Sequence, residues 1–124
     1  MTAPAPLCVG YLRRLPGTDP EEEPRLIAEL CAFAEREGFT PELMFVERHW
    51  SRTLALRALT AYCTQRGVRN VIVPTAEHLN QVLPLADISK EELAQDIGGQ
   101  VWIVTPEEEE QPCPPRRAEN GGNT

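Results

Sequence analysis

Two adjacent arginines, Arg13 and Arg14, follow directly on the apolar run Leu7 to Leu12. Cations at the end of a buried strand are suited to hold an anion, because ligands of open parallel sheets meet the loops beyond the strand C-termini. The same side chains equally suit a solvated pair beside the acidic group Asp19, Glu21, Glu22 and Glu23. A second polar set, Glu47, His49, Ser51 and Arg52, comes after another apolar segment, and a third, Glu77, His78 and Gln81, follows Asn70 to Pro74. The ring of His78 could exchange protons near neutral pH or bind a metal, but no second histidine or cysteine stands near it in sequence. His49-Trp50 reads either as an exposed recognition pair or as an aromatic lid on the core.

The cysteines offer little chemistry. Cys8, Cys31, Cys63 and Cys113 are far apart and form no Cys-x-x-Cys pair, and there are only two histidines to assist them. A metal site wants ligands paired at short spacing, so neither a metal nor a cofactor is expected. Three of the four fall at apolar positions, where a reduced thiol acts as a small hydrophobe, as suits a reducing cytosol. No glycine-rich phosphate loop is present.

The elements that must position these residues read as follows. Leu7–Leu12 is a buried strand, and Arg13–Glu23, with Pro16, Gly17 and Pro20, is a loop. A helix starts near Glu21, tolerates Pro24 in its first turn and closes at Gly38, with Leu26, Ile27, Leu30, Cys31 and Ala34 on one face. Phe39–Glu47 is a second strand. Arg52–Arg66 is a second helix stopped by Gly67, and Asn70–Pro74 a third strand, apolar on both faces. Thr75–Asp87 permits a helical turn or two before Pro84. Ser89 and Glu92 have capping-box spacing for a helix running to Ile97, and Gly98-Gly99 ends it before the strand Val101–Val104. This alternation predicts an α/β fold, an open and mainly parallel four-stranded sheet with helices on both faces. The expected boundaries are a flexible N-terminus at 1–6, one domain at 7–105 and a disordered acidic tail at 106–124.

Charge argues against a free-standing nucleic-acid binder. The 124 residues carry a net −7, of which −3 falls in 106–124, where five glutamates face two arginines, leaving −4 for the rest. Tight DNA binding rests on phosphate neutralisation by Lys and Arg, so any DNA affinity is expected to be weak. Met1–Pro6 lacks the basic and apolar regions of a signal peptide. No run of about 18 apolar residues is present. The expectation is a cytoplasmic protein with no membrane partner.

The order and spacing of three segments suggest a family. Val9-Gly10-Tyr11-Leu12-Arg13-Arg14-Leu15, then Ala34-Glu35-Arg36-Glu37-Gly38-Phe39, then Met44-Phe45-Val46-Glu47 together resemble the opening of serine-recombinase (resolvase/invertase) catalytic domains. That family reads Gly-Tyr-x-Arg-x-Ser, a helix ending Ala-x-x-x-Gly, a strand closing on Asp and, after a third strand, Leu-Asp-Arg-Leu-x-Arg. The resemblance spans roughly residues 7–104 and implies the resolvase form of a flavodoxin-like topology. In the family a serine hydroxyl attacks the scissile phosphodiester, and arginines activate it and stabilise charge on phosphorus.

Carried over position by position, Arg13 matches the first motif arginine, and Leu15 occupies the nucleophile's place. Glu47 and Glu77 stand for the family's two aspartates, and His78 and Gln81 replace two of its arginines. Arg52 falls within a couple of residues of a further family arginine, and Ser51 is a stand-in hydroxyl on a different loop. The resemblance thus implies a catalytically inactive recombinase-like domain, a pseudoenzyme working as a protein-interaction or regulatory module through a protein partner or self-association. Two alternatives use the same residues. One is a DNA-binding accessory protein or a recombinase family member in DNA recombination, contacting phosphate through Arg13, Arg14 and Arg52. The other is a small-anion-binding flavodoxin-like domain.

Overall fold

The computed structural model describes residues 5–17, 19–49 and 51–105. Residues 1–4 of the expected flexible start at 1–6, Trp50 of the His49-Trp50 pair, Cys113 and the acidic tail at 106–124 lie outside the described residues. In chain order the elements are β1 (Leu7–Arg13), α1 (Glu22–Arg36), β2 (Thr40–Glu47), α2 (Leu54–Arg66), β3 (Asn70–Val73), a 3₁₀ turn (Ala76–His78), α3 (Leu83–Ile97) and β4 (Gln100–Ile103). The strands form one sheet in the order β2-β1-β3-β4, and every pairing is parallel.

Strand periodicity divides the core into two layers. Cys8 and Leu12 of β1 and Ile72 of β3 face α1, where they pack on Leu30 and Ala34. The intervening residues Val9, Tyr11, Val71 and Val73 face α2 and α3 and pack on Leu59, Cys63, Leu93 and Ile97. Burying a leucine as fully as Leu30 or Leu59 is worth about 1.5–3 kcal/mol, so each helix is fastened mainly by two or three such side chains. The free thiols of Cys8 and Cys63 are part of this packing, and burial raises both to about 11, which keeps them protonated and unreactive.

The third helix departs from expectation. The Ser89 and Glu92 spacing predicts a start at Ser89, whereas α3 begins at Leu83 and Ser89 lies inside it. Asn80 Oδ1 accepts the Val82 N–H at 2.9 Å and closes a local turn, and the Val82 carbonyl then accepts the amides of Leu85 and Ala86. Pro84 falls in the first helical turn, where its missing N–H costs no hydrogen bond. Leu83, Leu85 and Ile88 of this early stretch are exposed, and the buried face is carried by Ala86, Leu93 and Ile97.

The Gly98-Gly99 pair ends α3 for two separate reasons. Gly98 adopts φ +66°, the left-handed conformation that closes a helix. At Gly99 a methyl group would overlap the Arg69 carbonyl oxygen and lie 2.6 Å from its carbon, so only glycine lets the chain pass there. The same carbonyl accepts the Gln100 N–H at 2.8 Å and starts the β3–β4 pairing. Among the described residues no helix is long and apolar enough to cross a membrane.

Candidate functional site

From β1 the chain turns to β2 on one side and later to β3 on the other, so the loops following β1 and β3 diverge. Such a reversal of strand order opens a crevice at the carboxyl edge of the sheet. Arg13, the last residue of β1, and the 3₁₀ turn after β3 form its walls.

The alternation of β1 splits the two arginines. Arg14 ion-pairs with Glu23 of α1 at 3.0 Å, as the solvated-pair reading expects. Arg13 lies on the opposite face, where its guanidinium donates to the Tyr11 hydroxyl at 3.0 Å and stands 5.8 Å from the ring centroid. Tyr11 in turn donates to Glu47 Oε2 at 2.9 Å, and the same oxygen accepts the Leu56 N–H of α2 at 2.9 Å. Thr53, the residue before α2, makes no side-chain cap, so Glu47 reaches across from β2 to satisfy the third amide of the helix. Its carboxylate is buried, and it favours the helix dipole while Arg13 balances its charge through the tyrosine. Burial drives the Tyr11 hydroxyl well above its ordinary pKa, against the lowering influence of Arg13, so it stays protonated and bridging.

His78 is held just as firmly. Its Nδ1 accepts the Arg13 backbone N–H at 2.8 Å, which places the ring proton on Nε2 and fastens the 3₁₀ turn to the end of β1. Burial, then the neighbouring Arg13 charge, lowers its pKa to about 4, so the ring is neutral at physiological pH. It serves as a hydrogen-bond acceptor at the position where the resemblance puts a permanent cation.

Leu15, Glu77 and Gln81, three positions that the resemblance singles out, come together with Pro16 around one open recess of about 420 Å³. An adjoining cleft of about 350 Å³ shares Gln81 and is lined also by Arg13, Ser51, Asn80 and Val82. Arg52 stands apart from both, in a cleft of about 240 Å³ with Arg48, His49 and Glu47. Among the described residues no group of three or more His, Cys, Asp or Glu side chains could hold a metal ion.

One residue of this region, and one contact between two residues already singled out from sequence, go beyond the sequence reading. Tyr11 is the centre of the polar network, and its parity with Arg13, two residues on along a strand, is the available signal. Ser51 Oγ lies 2.7 Å from His49 Nδ1. The Ser51 backbone N–H also points at that nitrogen, at 3.3 Å, so Nδ1 is the acceptor and the hydroxyl donates to it.

Solved structures share this architecture. The C-terminal catalytic domain of ISC1926 TnpA, an IS607-like serine recombinase, superposes with a TM-score of 0.67 at 21% identity, over 82% of this chain and 69% of that one. The fold is that of a serine-recombinase catalytic domain. The N-terminal catalytic domain of TP901-1 integrase gives a TM-score of 0.61 at 14% identity, over 79% of this chain and 76% of that one. The C-terminal catalytic domain of IS1535 TnpA, another IS607-like serine recombinase, gives 0.60 at 17%, over 82% and 73%. No family model matches the chain, and a comparison with curated proteins finds no match. The resemblance expected from the β1, α1 and β2 segments is therefore present in the recombinase-type fold itself.

Proposed function

We propose that this recombinase-fold domain does not perform strand transfer and acts by binding a protein partner or a second copy of itself. The observation that carries the reading is the recess around Leu15, Pro16, Glu77 and Gln81. At the nucleophile's place it offers a hydrocarbon side chain, and among the described residues its only charged lining group is an exposed carboxylate, which repels a phosphodiester. Strand transfer needs an attacking oxygen and cations around phosphorus, and these positions supply neither. Arg13, the motif arginine that remains, is engaged in fastening Tyr11.

Exposed apolar side chains on and just before α3 support the binding role. Val82, Leu85 and Ile88 are each about half exposed and recur every three residues, an apolar row left open to a partner. The buried, protonated thiols of Cys8 and Cys63 suit a reducing, cytoplasmic setting. A second reading, DNA contact without cleavage, draws on the cleft where Arg48, His49 and Arg52 converge. It is opposed by the net charge of −7.

The test is incubation of purified protein with supercoiled plasmid carrying the genomic sequence that flanks its gene, followed by denaturing electrophoresis. The expected outcome is intact supercoiled DNA and no protein–DNA adduct. A covalent adduct overturns the proposal, and a salt-sensitive shift on a native gel without an adduct favours the second reading.

A further inference from the structure

The sequence contains only two serines, Ser51 and Ser89. Ser89 is inside α3, while Ser51 is exposed at the mouth of the crevice between the β1 and β3 loops. Its hydroxyl donates to His49 Nδ1 at 2.7 Å, the distance and polarity of a nucleophile paired with its general base. The turn is closed by the Arg52 N–H donating to the His49 carbonyl at 3.0 Å, and the Ser51 N–H at 3.3 Å fixes which ring nitrogen is the acceptor. The cleft is also lined by two carboxamides, Asn80 and Gln81, whose N–H groups are able to stabilise the negative charge that builds on phosphoryl oxygens, while Arg13 beside them is held by the Tyr11 hydroxyl. A cleft of about 350 Å³ is of a size for a small molecule.

We propose that Ser51, with His49 as its base, is a nucleophile toward small phosphoryl electrophiles seated in this cleft. In the reaction the Ser51 Oγ–P bond forms and the bond from phosphorus to its leaving group breaks. The hydroxyl proton passes to His49 Nδ1 and, with an alkoxide leaving group, on to that oxygen. The product is a phosphorylated Ser51. The inference goes beyond the non-cleaving reading: small-molecule labelling tests the dyad, and the plasmid experiment tests strand transfer.

The probe is a fluorophosphonate, whose fluoride leaves as the Ser51 ester forms, with the adduct located by peptide mass spectrometry on the intact folded chain. The expected result is one adduct, on Ser51, that is abolished in Ser51→Ala. His49→Ala slows labelling by at least about 100-fold, the range of general-base assistance. His49→Asn, which keeps an acceptor near the hydroxyl and removes the base, slows it as much. Both residues are exposed, so these variants keep the fold, which circular dichroism verifies. Ser89 is the internal control. Absence of an adduct, labelling of Ser89 at the same rate, or labelling unchanged in the His49 variants overturns the proposal.

Discussion

Glu47→Ala destabilises the domain by about 3 kcal/mol, because the Tyr11 hydroxyl and the Leu56 N–H both lose their acceptor and α2 loses its cap. For a domain of this size that lowers the melting temperature by roughly 15 °C. Glu47→Gln, whose amide oxygen can take the place of the one oxygen that accepts both bonds, loses the charge but keeps the acceptor and costs less than half as much. Thermal unfolding of the three proteins at neutral pH reads both numbers. A melting temperature unchanged in Glu47→Ala would show that the buried carboxylate does not cap the helix. The resemblance puts the same residue at the place of an acidic group after the second strand, and the experiment shows how far that position is a structural one.

Acidification produces the second large effect, through His78. The ring titrates near its ordinary 6.5 in the unfolded chain and at about 4 in the folded one. Between those values the unfolded chain takes up a proton that the folded chain refuses, so stability falls as pH falls through this window and levels off below it. Protonation at Nδ1 sets a second donor against the Arg13 N–H and adds a positive charge beside the Arg13 guanidinium. The loss attributable to His78 is on the order of 3 kcal/mol between pH 6.5 and 4. Urea unfolding of the wild type and His78→Asn across this range isolates the effect, since carboxylates common to both proteins cancel. The two stabilities converge toward acid pH if His78 is the group responsible. Parallel curves contradict the assignment.

The parts of this molecule that are legible in its sequence are those set by local pattern. Strand β1 is readable as an apolar run, α1 from its stripe of Leu26, Ile27, Leu30 and Ala34, and the parallel sheet from the alternation of strands with helices. The start of α3 is not, because two local signals compete. The Ser89 and Glu92 spacing imitates a cap, while the true start depends on the Asn80 turn and on Pro84 in the first helical turn. The apolar Leu83, Leu85 and Ile88 blur the periodicity further, because they face solvent.

The polar network is less visible, for a different reason. Glu47 meets Tyr11 and Leu56 only once β2 lies beside β1 in the register that pairs Arg13 with Glu47. His78 and Arg13 are 65 residues apart, and the bond between them exists only because β3 is the other neighbour of β1. Type and spacing mark these positions as polar groups at strand ends. They do not distinguish a histidine that accepts a backbone bond from one that awaits a substrate. By contrast, the His49 and Ser51 contact spans two residues, and it is legible in principle.

The proposed function requires a recombinase fold that lacks a working phosphoryl-transfer site. By the correspondence that the resemblance implies, Leu15→Ser puts a hydroxyl at the nucleophile's place and leaves His78 and Gln81 without the cations that strand transfer requires. Assayed with supercoiled plasmid under denaturing conditions, Leu15→Ser is expected to give no covalent protein–DNA adduct and no relaxation. Recovery of an adduct at the new hydroxyl by that one substitution would contradict the claim, because it would show that the remaining residues are still a working active site.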